Sequence, residues 1–289
     1  MLFHIVSWAL IIICPLLVAY RSQGFWKKTN TYQEQPMVQF SHNLIFVGQG
    51  ATSDQYWVWS TVPGLNLLEQ SHLRIPLVSV KEMDENNDGK MDRFVCQVFL
   101  PLGNSESIQS ITVLLFFDYQ LQLRSRFRMK SLIDIQSSYH VPASAFLAAG
   151  DLRLQQRIPL LCCGTDIRFD EWPIKFDSAN VGDFVLSKII REHSNRNVTL
   201  KTDSLFTTWT GGSPGSTFTA TVDLIIPVEE IAYFSGFWEL LKWGWVQYLA
   251  IVVIFWIVIG SIRDFVFRNQ IVRTLPAEQR LQSSERQKA

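Results

Sequence analysis

The stretch of sequence that decides the fold runs from Ile111 to Met129 and reads Ile-Thr-Val-Leu-Leu-Phe-Phe-Asp-Tyr-Gln-Leu-Gln-Leu-Arg-Ser-Arg-Phe-Arg-Met. Its odd-numbered positions are apolar except at Ser125, and the even-numbered positions of its second half are polar or charged. A period of two is that of a β-strand with one face buried and the other in water. Most strands are about 3–10 residues long, so we expect this segment to be bent or broken once.

Other segments along the chain repeat this alternating pattern. Phe218–Ile226 alternates apolar residues with threonine and aspartate, which predicts a second amphipathic strand. Shorter strands are predicted at 38–47, 56–62, 73–83, 94–100 and 205–210. Asp183–His193 instead places its apolar residues on one helical face, and Asp183 is a suitable N-cap. Many short strands and one amphipathic helix predict a mainly antiparallel, sandwich-like or barrel-like β domain.

The two ends of the chain carry its most apolar segments. Leu2–Tyr20 holds one ionisable side chain, His4, and Trp243–Ile262 holds none. As helices of about 20 residues, each would extend about 30 Å, which is the thickness of the bilayer core. The sequence therefore predicts a membrane protein in four parts: a transmembrane helix at 1–20, a β-rich domain at 21–236, an interfacial segment with a second transmembrane helix at 237–262, and a short basic tail at 263–289.

The composition of the chain excludes several classes of protein. Charged residues make up 18% of the 289 residues and hydrophobic residues 47%, and 26 basic residues balance 26 acidic ones. A nucleic-acid-binding protein would carry a basic excess, so we expect no nucleic-acid partner. An aromatic content of 13% is typical of a folded chain rather than a disordered one. We expect a folded protein that contacts the lipid bilayer.

The charges beside the apolar segments predict the orientation in the membrane. The tail at 263–289 carries six basic and three acidic residues, and basic flanks favour the cytosolic side. Two spans then place both termini in the cytosol and the β-rich domain in the lumen or outside the cell. Arg21, Lys27 and Lys28 follow the first span and oppose this rule, but long loops cross membranes largely regardless of charge. A cleaved signal peptide ending at Ala19 is the alternative, and it also leaves the domain outside the cytosol.

A glycosylation sequon and three cysteines are relevant to a domain that lies in the lumen or outside the cell. Asn197-Val-Thr199 is the one N-glycosylation sequon of the chain, with Asn197 as the acceptor. Cys96 could form a disulfide with Cys162 or with Cys163, since an oxidising compartment permits disulfides. Simple buried thiols are the alternative, and the cysteine spacing of a zinc site is absent from the sequence.

Aromatic residues mark the outer ends of both predicted spans. Gly24-Phe-Trp26 follows the first span and Gly236-Phe-Trp238 precedes the second. Indole rings favour the boundary between lipid and water because they are part apolar and part polar. The predicted interfacial anchors are Trp26, Trp238, Trp243 and Trp245. The two tripeptides also suggest a rigid connection that holds the β domain against the lipid.

One loop has the spacing of a calcium site. The segment from Asp84 to Asp92 reads Asp-Glu-Asn-Asn-Asp-Gly-Lys-Met-Asp and begins with the pattern D-x-[DN]-x-[DN]-G. Its predicted oxygen ligands for Ca²⁺ are Asp84, Asn86, Asp88 and Asp92. Val95 stands where an EF-hand has its bidentate glutamate, and a strand follows, so an EF-hand is excluded. The alternative is a plain hairpin turn, because Asp-Gly between strands is a common hairpin signal.

No motif in the sequence predicts catalysis. Gly211–Gly215 fits the G-x-S-x-G pattern of a nucleophile elbow around Ser213, but that elbow needs a helix after the serine and a predicted strand follows here. The five histidines are scattered, and the sequence has neither a phosphate-binding loop nor a dinucleotide fingerprint. We therefore expect no enzyme activity and no cofactor other than calcium.

Blocks of residues spread along the chain carry a family resemblance. They are Pro15–Trp26, Tyr32–Pro36, Arg74–Ser79, Asp88–Asp92, Gly150–Arg157, Arg196–Thr199, Gly236–Trp238, Trp245–Tyr248 and Phe267–Val272. Together these blocks resemble the transmembrane protein 231 family of ciliary membrane proteins. The resemblance implies a glycosylated residue at Asn197. The chain departs from the family pattern before its first span, where the resemblance leads us to expect a short cytosolic segment and the sequence has almost nothing.

The same resemblance implies a cellular role. It implies a two-pass protein of the ciliary membrane at the transition zone of the primary cilium, with both termini cytosolic. The implied partners are the other membrane and peripheral proteins of the Meckel syndrome (tectonic-like) complex. The implied function is a non-enzymatic scaffold that contributes to the diffusion barrier for ciliary membrane proteins, to ciliogenesis and to Hedgehog signalling. The alternative, suggested by the loop from Asp84 to Asp92, is a calcium-dependent extracellular adhesion or ligand-binding receptor.

Overall fold

The computed structural model of the chain describes residues 2–22, 27–52, 54–162, 164–174, 176, 182, 184–212 and 217–271. The chain divides into two compact units. One unit consists of Met1–Lys28 together with Ser235–Ala289, and the other is Thr29–Phe234. The first unit therefore holds both apolar ends of the sequence, and the second unit holds the segments that alternate with a period of two.

The first unit contains two long helices. Helix α1 is Leu2–Arg21, with 20 residues, and helix α4 is Phe237–Arg268, with 32 residues. Both are long and apolar enough to cross a membrane. At a rise of about 1.5 Å per residue, α4 is longer than the core of a bilayer is thick. It therefore includes residues 237–242, for which the sequence predicted an interfacial segment.

Helices α1 and α4 pack against each other. The buried residues of α1 recur every fourth position, at Ser7, Ile11, Pro15 and Ala19. Positions four apart share one face of a helix, and small residues on such a face allow two helices to approach closely. Gly244 is the buried residue of α4 among those described. At the other end of α4, the ring of Phe267 lies 5.7 Å from that of Phe3 and 5.1 Å from that of His4.

The second unit is built from strands, with two short helices among its described residues. In chain order its elements are β1 (Thr29–Glu34), β2 (Met37–Gln49), β3 (Tyr56–Ser60), α2 (Pro63–Leu68), β4 (Leu77–Met83), β5 (Arg93–Leu100), β6 (Ile108–Leu121), β7 (Arg126–Gln156), β8 (Thr165–Phe169), α3 (Leu186–Ser194), β9 (Val198–Gly211), β10 (Phe218–Ile225) and β11 (Glu229–Phe234). Each strand predicted from the sequence has a counterpart here, with shifted ends. The alternation pattern did not predict β1, β8, β11 or the second half of β7.

Nine of the strands form one sheet around β7. The order is β3-β2-β6-β7-β10-β5-β4, and β8 and β9 also pair with β7. With 31 residues, β7 is long enough to pair with β6 and β8 along its first part and with β9 and β10 along its second part. The pairs of β7 with β8 and with β10 are parallel, and the other pairs of the sheet are antiparallel. The prediction of a mainly antiparallel sheet is therefore confirmed.

The stretch from Ile111 to Met129 contains a hairpin turn. β6 ends at Leu121, β7 begins at Arg126, and Leu121 lies opposite Phe127 across the turn. In this register odd-numbered residues pair with odd-numbered residues, so the inward face keeps its odd positions on both strands. The alternation therefore continues through the turn without a visible interruption. The expected single break is confirmed, and it is a reversal of the chain.

The sheet closes on itself as a sandwich with one aromatic core. β2 and β5 are four steps apart in the strand order, which would separate them by roughly 19 Å in a flat sheet. Yet the ring of Phe40 on β2 lies 4.9 Å from that of Phe94 on β5, and Phe117 on β6 lies 5.0 Å from Phe94. The two halves of the sheet therefore face each other across these rings. The sandwich-like fold class is confirmed.

A second apolar cluster covers the outer face of one half of the sheet. Its buried residues are Ile45, Val47, Val58, Val62, Leu65, Leu114, Phe116, Leu132, Ile174, Phe184 and Ile189. Leu114 and Phe116 belong to it, which explains why these two even positions of β6 are apolar. The amphipathic helix is confirmed as α3, whose N-cap is Val185 without a side-chain cap. Asp183, the predicted cap, lies outside the described residues.

We expect Phe117→Ala to lower the free energy of unfolding of the β domain by about 3–5 kcal/mol, because it would leave a cavity among rings from three strands. The measurement is urea unfolding of the full chain in detergent, followed by tryptophan fluorescence. Phe206→Ala is the matched control, since Phe206 is 62% exposed and its loss should change the free energy by about 0.5 kcal/mol or less. Equal effects of the two substitutions would contradict a core closed across Phe117.

Candidate functional site

The predicted calcium loop connects β4 to β5. Met83 and Arg93 form the last pair between these strands, so residues 84–92 are the connection of a β-hairpin. The N–H of Asp92 donates to the carbonyl of Met83 at 2.9 Å and closes the loop at its base. The strand-flanked context that the sequence analysis expected is therefore present. A hairpin turn and a calcium loop share this context.

The first half of the loop is organised by its own carboxylate and amide oxygens. The carboxylate of Asp84 accepts the backbone N–H groups of Asp88 at 3.2 Å and Gly89 at 2.8 Å. Asn86 Oδ1 also accepts the N–H of Asp88, at 2.8 Å. Gly89 has a φ of +82°, and Asn87 has a φ of +57°, so the chain makes two left-handed turns within the loop. Glycine adopts this conformation at little cost, as the sharp turn of the predicted motif requires.

Asp92 ties the end of the loop to its start and to Gln35, between β1 and β2. Its Oδ2 accepts the N–H groups of Glu85 at 2.9 Å and Asn86 at 3.3 Å, and its Oδ1 accepts the side-chain amide of Gln35 at 2.6 Å. The hydrogen bond from Gln35 lowers the pKa of Asp92, helped by those from the backbone. Asp92 is therefore ionised at neutral pH, as a calcium ligand must be.

The loop oxygens can supply ligands for a hard cation, but they are not gathered around one point. Asp84, Asn86, Asp88 and Asp92 direct oxygens at backbone N–H groups of the loop. In the part of the chain that the structure describes, no group of three or more histidine, cysteine, aspartate or glutamate side chains could hold a metal ion. Calcium binding would require these oxygens to turn toward a common centre. It stays a prediction.

Asn197 lies on the surface in the turn between α3 and β9. Its side chain is exposed, and its backbone carbonyl accepts the N–H of Arg157 at 2.9 Å. Val198 and Thr199, the next two residues of the sequon, are buried at the start of β9. The acceptor amide is therefore reachable on a fixed element, while the rest of the sequon is anchored in the sheet. Glycosylation at Asn197 stays a prediction.

Three of the four predicted interfacial anchors lie on α4. Trp238, Trp243 and Trp245 are 78%, 53% and 59% exposed. Trp238 and Trp245 are seven residues apart and so lie on the same side of the helix, whereas Trp243 points to another side. Trp26 lies outside the described residues. The exposure of the three rings allows contact with lipid headgroups, and their role as anchors stays a prediction.

The predicted disulfides of Cys96 are absent from the structure. Among the described cysteines, Cys96 is a free thiol, wholly buried between the two halves of the sheet. β5 directs it into the core, whereas Cys162 is half-buried in the loop after β7 and Cys163 lies outside the described residues. Burial raises the pKa of Cys96 to about 12, so the thiol stays protonated and unreactive. For Cys96 the alternative of a simple buried thiol is therefore correct.

The structure also places a buried histidine that the sequence indicated only as a helix-end residue. His193 Nε2 lies 2.6 Å from Ser131 Oγ and accepts the backbone N–H of Leu132 at 3.5 Å. Since this nitrogen is an acceptor, the hydroxyl of Ser131 donates to it, while Ser131 Oγ accepts the N–H of Leu200 at 3.2 Å. Burial, and then the charge of nearby Arg196, lowers the pKa of His193 to about 4. The histidine is therefore neutral and structural, and it fastens α3 to β7 and β9.

The glycine-rich segment Gly211–Gly215 connects β9 to β10. Ser213 lies outside the described residues. A strand, β10, follows the segment, whereas a nucleophile elbow requires a helix there. The prediction that a strand follows is confirmed.

These observations define a class of protein. Two apolar helices, each long enough to cross a bilayer, stand on either side of a β-sandwich in the sequence. The candidate site residues of the β domain lie on loops and turns of the sandwich, and the tryptophans lie on α4. The chain is therefore a transmembrane protein with a folded β domain between its helices.

Comparison with known proteins identifies the family. The family model described as Transmembrane protein 231 matches residues 1–276. Transmembrane protein 231 of Bos taurus and that of Homo sapiens are each 41% identical over 277 residues, which cover 95% of this chain and 88% of the relative. That of Gallus gallus is 41% identical over 264 residues, 91% of this chain and 82% of the relative. No solved structure matches the chain significantly. The chain belongs to the transmembrane protein 231 family, and the resemblance found in the sequence is confirmed.

We expect Ca²⁺ to bind the full chain with a dissociation constant of about 10⁻⁴–10⁻³ M, the range of extracellular modules, because the loop supplies oxygens at alternating positions. Isothermal titration calorimetry of the purified protein in detergent is the measurement. Changing Asp84 and Asp88 together to Ala should abolish the binding heat, whereas Asp54→Ala, which removes an exposed aspartate outside the loop, should preserve it. If wild-type protein gives no binding heat, the loop is a plain hairpin turn.

Proposed function

We propose that this protein is a non-enzymatic membrane scaffold of the primary-cilium transition zone. In this proposal it contributes to the diffusion barrier for ciliary membrane proteins, and through it to ciliogenesis and Hedgehog signalling. Its partners are the other membrane and peripheral proteins of the Meckel syndrome (tectonic-like) complex. The observation that carries the proposal is membership of the transmembrane protein 231 family over residues 1–276, a range that takes in α1, the β domain and α4.

The proposed topology has two membrane spans with both termini in the cytosol. Arg263 and Arg268 lie at the end of α4, and the tail beyond adds further basic residues. Basic residues flanking a span favour the cytosolic side, so this end of α4 is cytosolic. The β domain, with Asn197 on its surface, then lies in the lumen or outside the cell, where N-glycosylation takes place.

The outer face of one half of the sandwich suits contact with another protein. By strand register, Leu77 on β4, Ile225 on β10 and Phe206 on β9 project from the same outer face of the sheet. They are 70%, 50% and 62% exposed. Exposed apolar residues that share one face are typical of surfaces that bind other proteins. This half of the sheet differs from the other, whose outer face is covered by α2 and α3.

A second candidate function is a calcium-dependent adhesion or ligand-binding receptor. The observation that favours it is the β4–β5 loop, an exposed hairpin in which Asp84, Asn86 and Asp92 carry side-chain oxygens that now accept backbone N–H groups of the loop. Such a receptor would lose its ligand when Ca²⁺ is removed, whereas the scaffold would keep its place in the ciliary membrane. The calorimetric test of the loop therefore bears directly on this candidate.

We expect the wild-type chain expressed in cultured cells to carry one N-linked glycan, because Asn197 is exposed and would face the exoplasmic side. Digestion with an endoglycosidase should increase its mobility on a denaturing gel. Asn197→Gln should remove this shift, and Asn195→Gln, a neighbouring asparagine outside any sequon, should retain it. A wild-type chain without a glycan, together with cleavage of the β domain by cytosolic protease in sealed vesicles, would contradict the topology.

We expect ciliated cells that lack the protein to admit excluded membrane proteins into the cilium, and the wild-type chain to restore their exclusion. The measurement is immunofluorescence of ciliary membrane proteins in the deleted and rescued cells. Leu77→Asp combined with Ile225→Asp should fail to rescue, because two charges would disrupt the proposed contact face. Ile167→Asp is the control, since Ile167 on β8 is 60% exposed outside that face. Normal ciliary membrane composition in the deleted cells would contradict the scaffold function.

A further inference from the structure

β1 and β11 form a two-stranded ribbon that links the β domain to both helices along the chain. Seven residues separate α1 from β1, and two residues separate β11 from α4. One end of the ribbon is fastened by Gln156, whose side-chain amide bonds to the N–H and the carbonyl of Ala232 at 2.9 and 3.0 Å. The backbone of Leu160 continues this pairing with Ala232 and Phe234. This end of the ribbon is therefore held by backbone and side-chain hydrogen bonds, and Ile231 and Tyr233 are buried there.

Two glutamates fasten the other end of the ribbon. Glu34 on β1 and Glu229 on β11 lie directly opposite each other in register, so their side chains project from the same face with Cβ atoms about 5 Å apart. They are 4% and 6% exposed. Glu34 Oε1 accepts the N–H groups of Gln122 and Leu123 at 2.7 and 3.1 Å, and Glu229 Oε2 accepts that of Leu154 at 2.7 Å. The pair joins the ribbon to the β6–β7 turn and to β7.

Each glutamate has a second oxygen that these bonds do not use. Among the described residues, Glu34 Oε2, Glu229 Oε1 and the hydroxyl of Tyr119 are buried without a hydrogen-bond partner. Tyr119 is wholly buried on β6. Burial raises the pKa of its hydroxyl, and the charges of Glu229 and Glu34 raise it further, so the hydroxyl lies close to both carboxylates. Three unpartnered polar atoms in one buried place require an explanation.

Charged and titratable groups surround the pair, and one of them, the hydroxyl of Tyr32, has its pKa raised by burial and by the nearby carboxylate of Glu34. They are Tyr119 on β6, Tyr32 on β1, Tyr233 on β11, Arg124 in the β6–β7 turn and Arg153 on β7, with Lys90 and Asp92 at the neighbouring Gln35. Arg124 donates to the hydroxyl of Tyr233 at 2.7 Å, and Arg153 pairs with Asp151 at 3.0 Å.

We propose that Glu34 and Glu229 share one proton, which closes a latch between the ribbon and the sheet. With this proton, Glu229 Oε1 donates to Glu34 Oε2, so the two carboxyl oxygens that lacked a partner become partners of each other. Glu229 is the protonated member, because it accepts one backbone N–H group whereas Glu34 accepts two. Two facing buried carboxylates share a proton in this way because both cannot ionise at low cost.

A proton suits this place better than a metal ion. Ca²⁺ takes about six to eight oxygen ligands, whereas the two carboxyl groups offer one oxygen each without a partner, Glu34 Oε2 and Glu229 Oε1. The proton needs only the two facing carboxyl groups. Burial raises the pKa of Glu229 from 4.5 to about 7, against the lowering effects of the Leu154 N–H and of Arg153.

The direction of the pH dependence follows from this shift. The closed ribbon binds the proton more tightly than the opened ribbon, whose glutamate titrates near 4.5. The stabilisation is therefore complete below that pH and is lost as the pH rises through about 7. If the β domain is exoplasmic, which rests on the proposed function, the latch is closed in the acidic compartments of the secretory route and loosens in a neutral exterior.

The test is hydrogen–deuterium exchange of the full chain in lipid nanodiscs at about pH 5.5 and pH 8, corrected for intrinsic exchange rates. We expect the amides of β1, β11, Gln122 and Leu123 to exchange at least about tenfold faster at the higher pH. Glu229→Gln should keep exchange slow at both values, because its amide donates permanently to Glu34. Glu230→Gln, the exposed neighbour on the same strand, should behave as wild type. An infrared band of a protonated carboxylic acid, present in wild type and lost in Glu229→Gln, is the second readout.

Three results would overturn the proposal. These are exchange of the ribbon that does not depend on pH in wild type, a pH dependence that persists in Glu229→Gln, and slow exchange restored at pH 8 by Ca²⁺. The last result would indicate a cation in place of the proton. Each measurement uses the purified chain, so its failure is distinguishable from a failure of the ciliary scaffold function.

Discussion

The fold depends on one constraint, which is the exclusion of water from the inner face of a nine-stranded sheet. The sheet meets this constraint by folding over until Phe40, Phe94 and Phe117 touch across the core. This is possible because β7 is long enough to pair with β6 along one part and with β10 along another. The two halves of the sandwich therefore share a strand.

The candidate sites lie at the surface of the folded sheet or at the edge of its core. The loop from Asp84 to Asp92 lies beyond the last pair of β4 and β5, and Asn197 precedes the first pair of β9 with β7. Both are attached to strands whose inner residues are fixed in the core. Glu34 and Glu229 differ, because they lie at the margin where the ribbon meets the sheet and are buried there with polar atoms. The core of the sandwich thus provides the stability of the domain, and the proposed response to pH belongs to the ribbon.

Much of this fold could be predicted from the sequence. The strands and pairings that were missed are those that the alternation of apolar and polar residues does not record. β10 was predicted because its two faces meet different surroundings, which alternation records directly. β8 and β11 were missed because charged residues, Asp166 and Glu229, occupy buried positions in short strands. The parallel pairing of β7 with β10 could not be predicted, since a strand pattern does not identify its neighbour. The burial of Glu34 could not be predicted, because it depends on the packing of the ribbon and not on adjacent residues.

The register of the ribbon has a mechanical consequence. Thr29 and Phe234 form the pair nearest in sequence to both helices, and Glu34 and Glu229 form the pair farthest from them. A tension that draws the two helical segments apart would load these pairs one after another, beginning with Thr29 and Phe234. Bonds broken in succession resist less force than bonds loaded together. Under lateral stress in a membrane, the ribbon would therefore separate while the nine-stranded sheet stays intact.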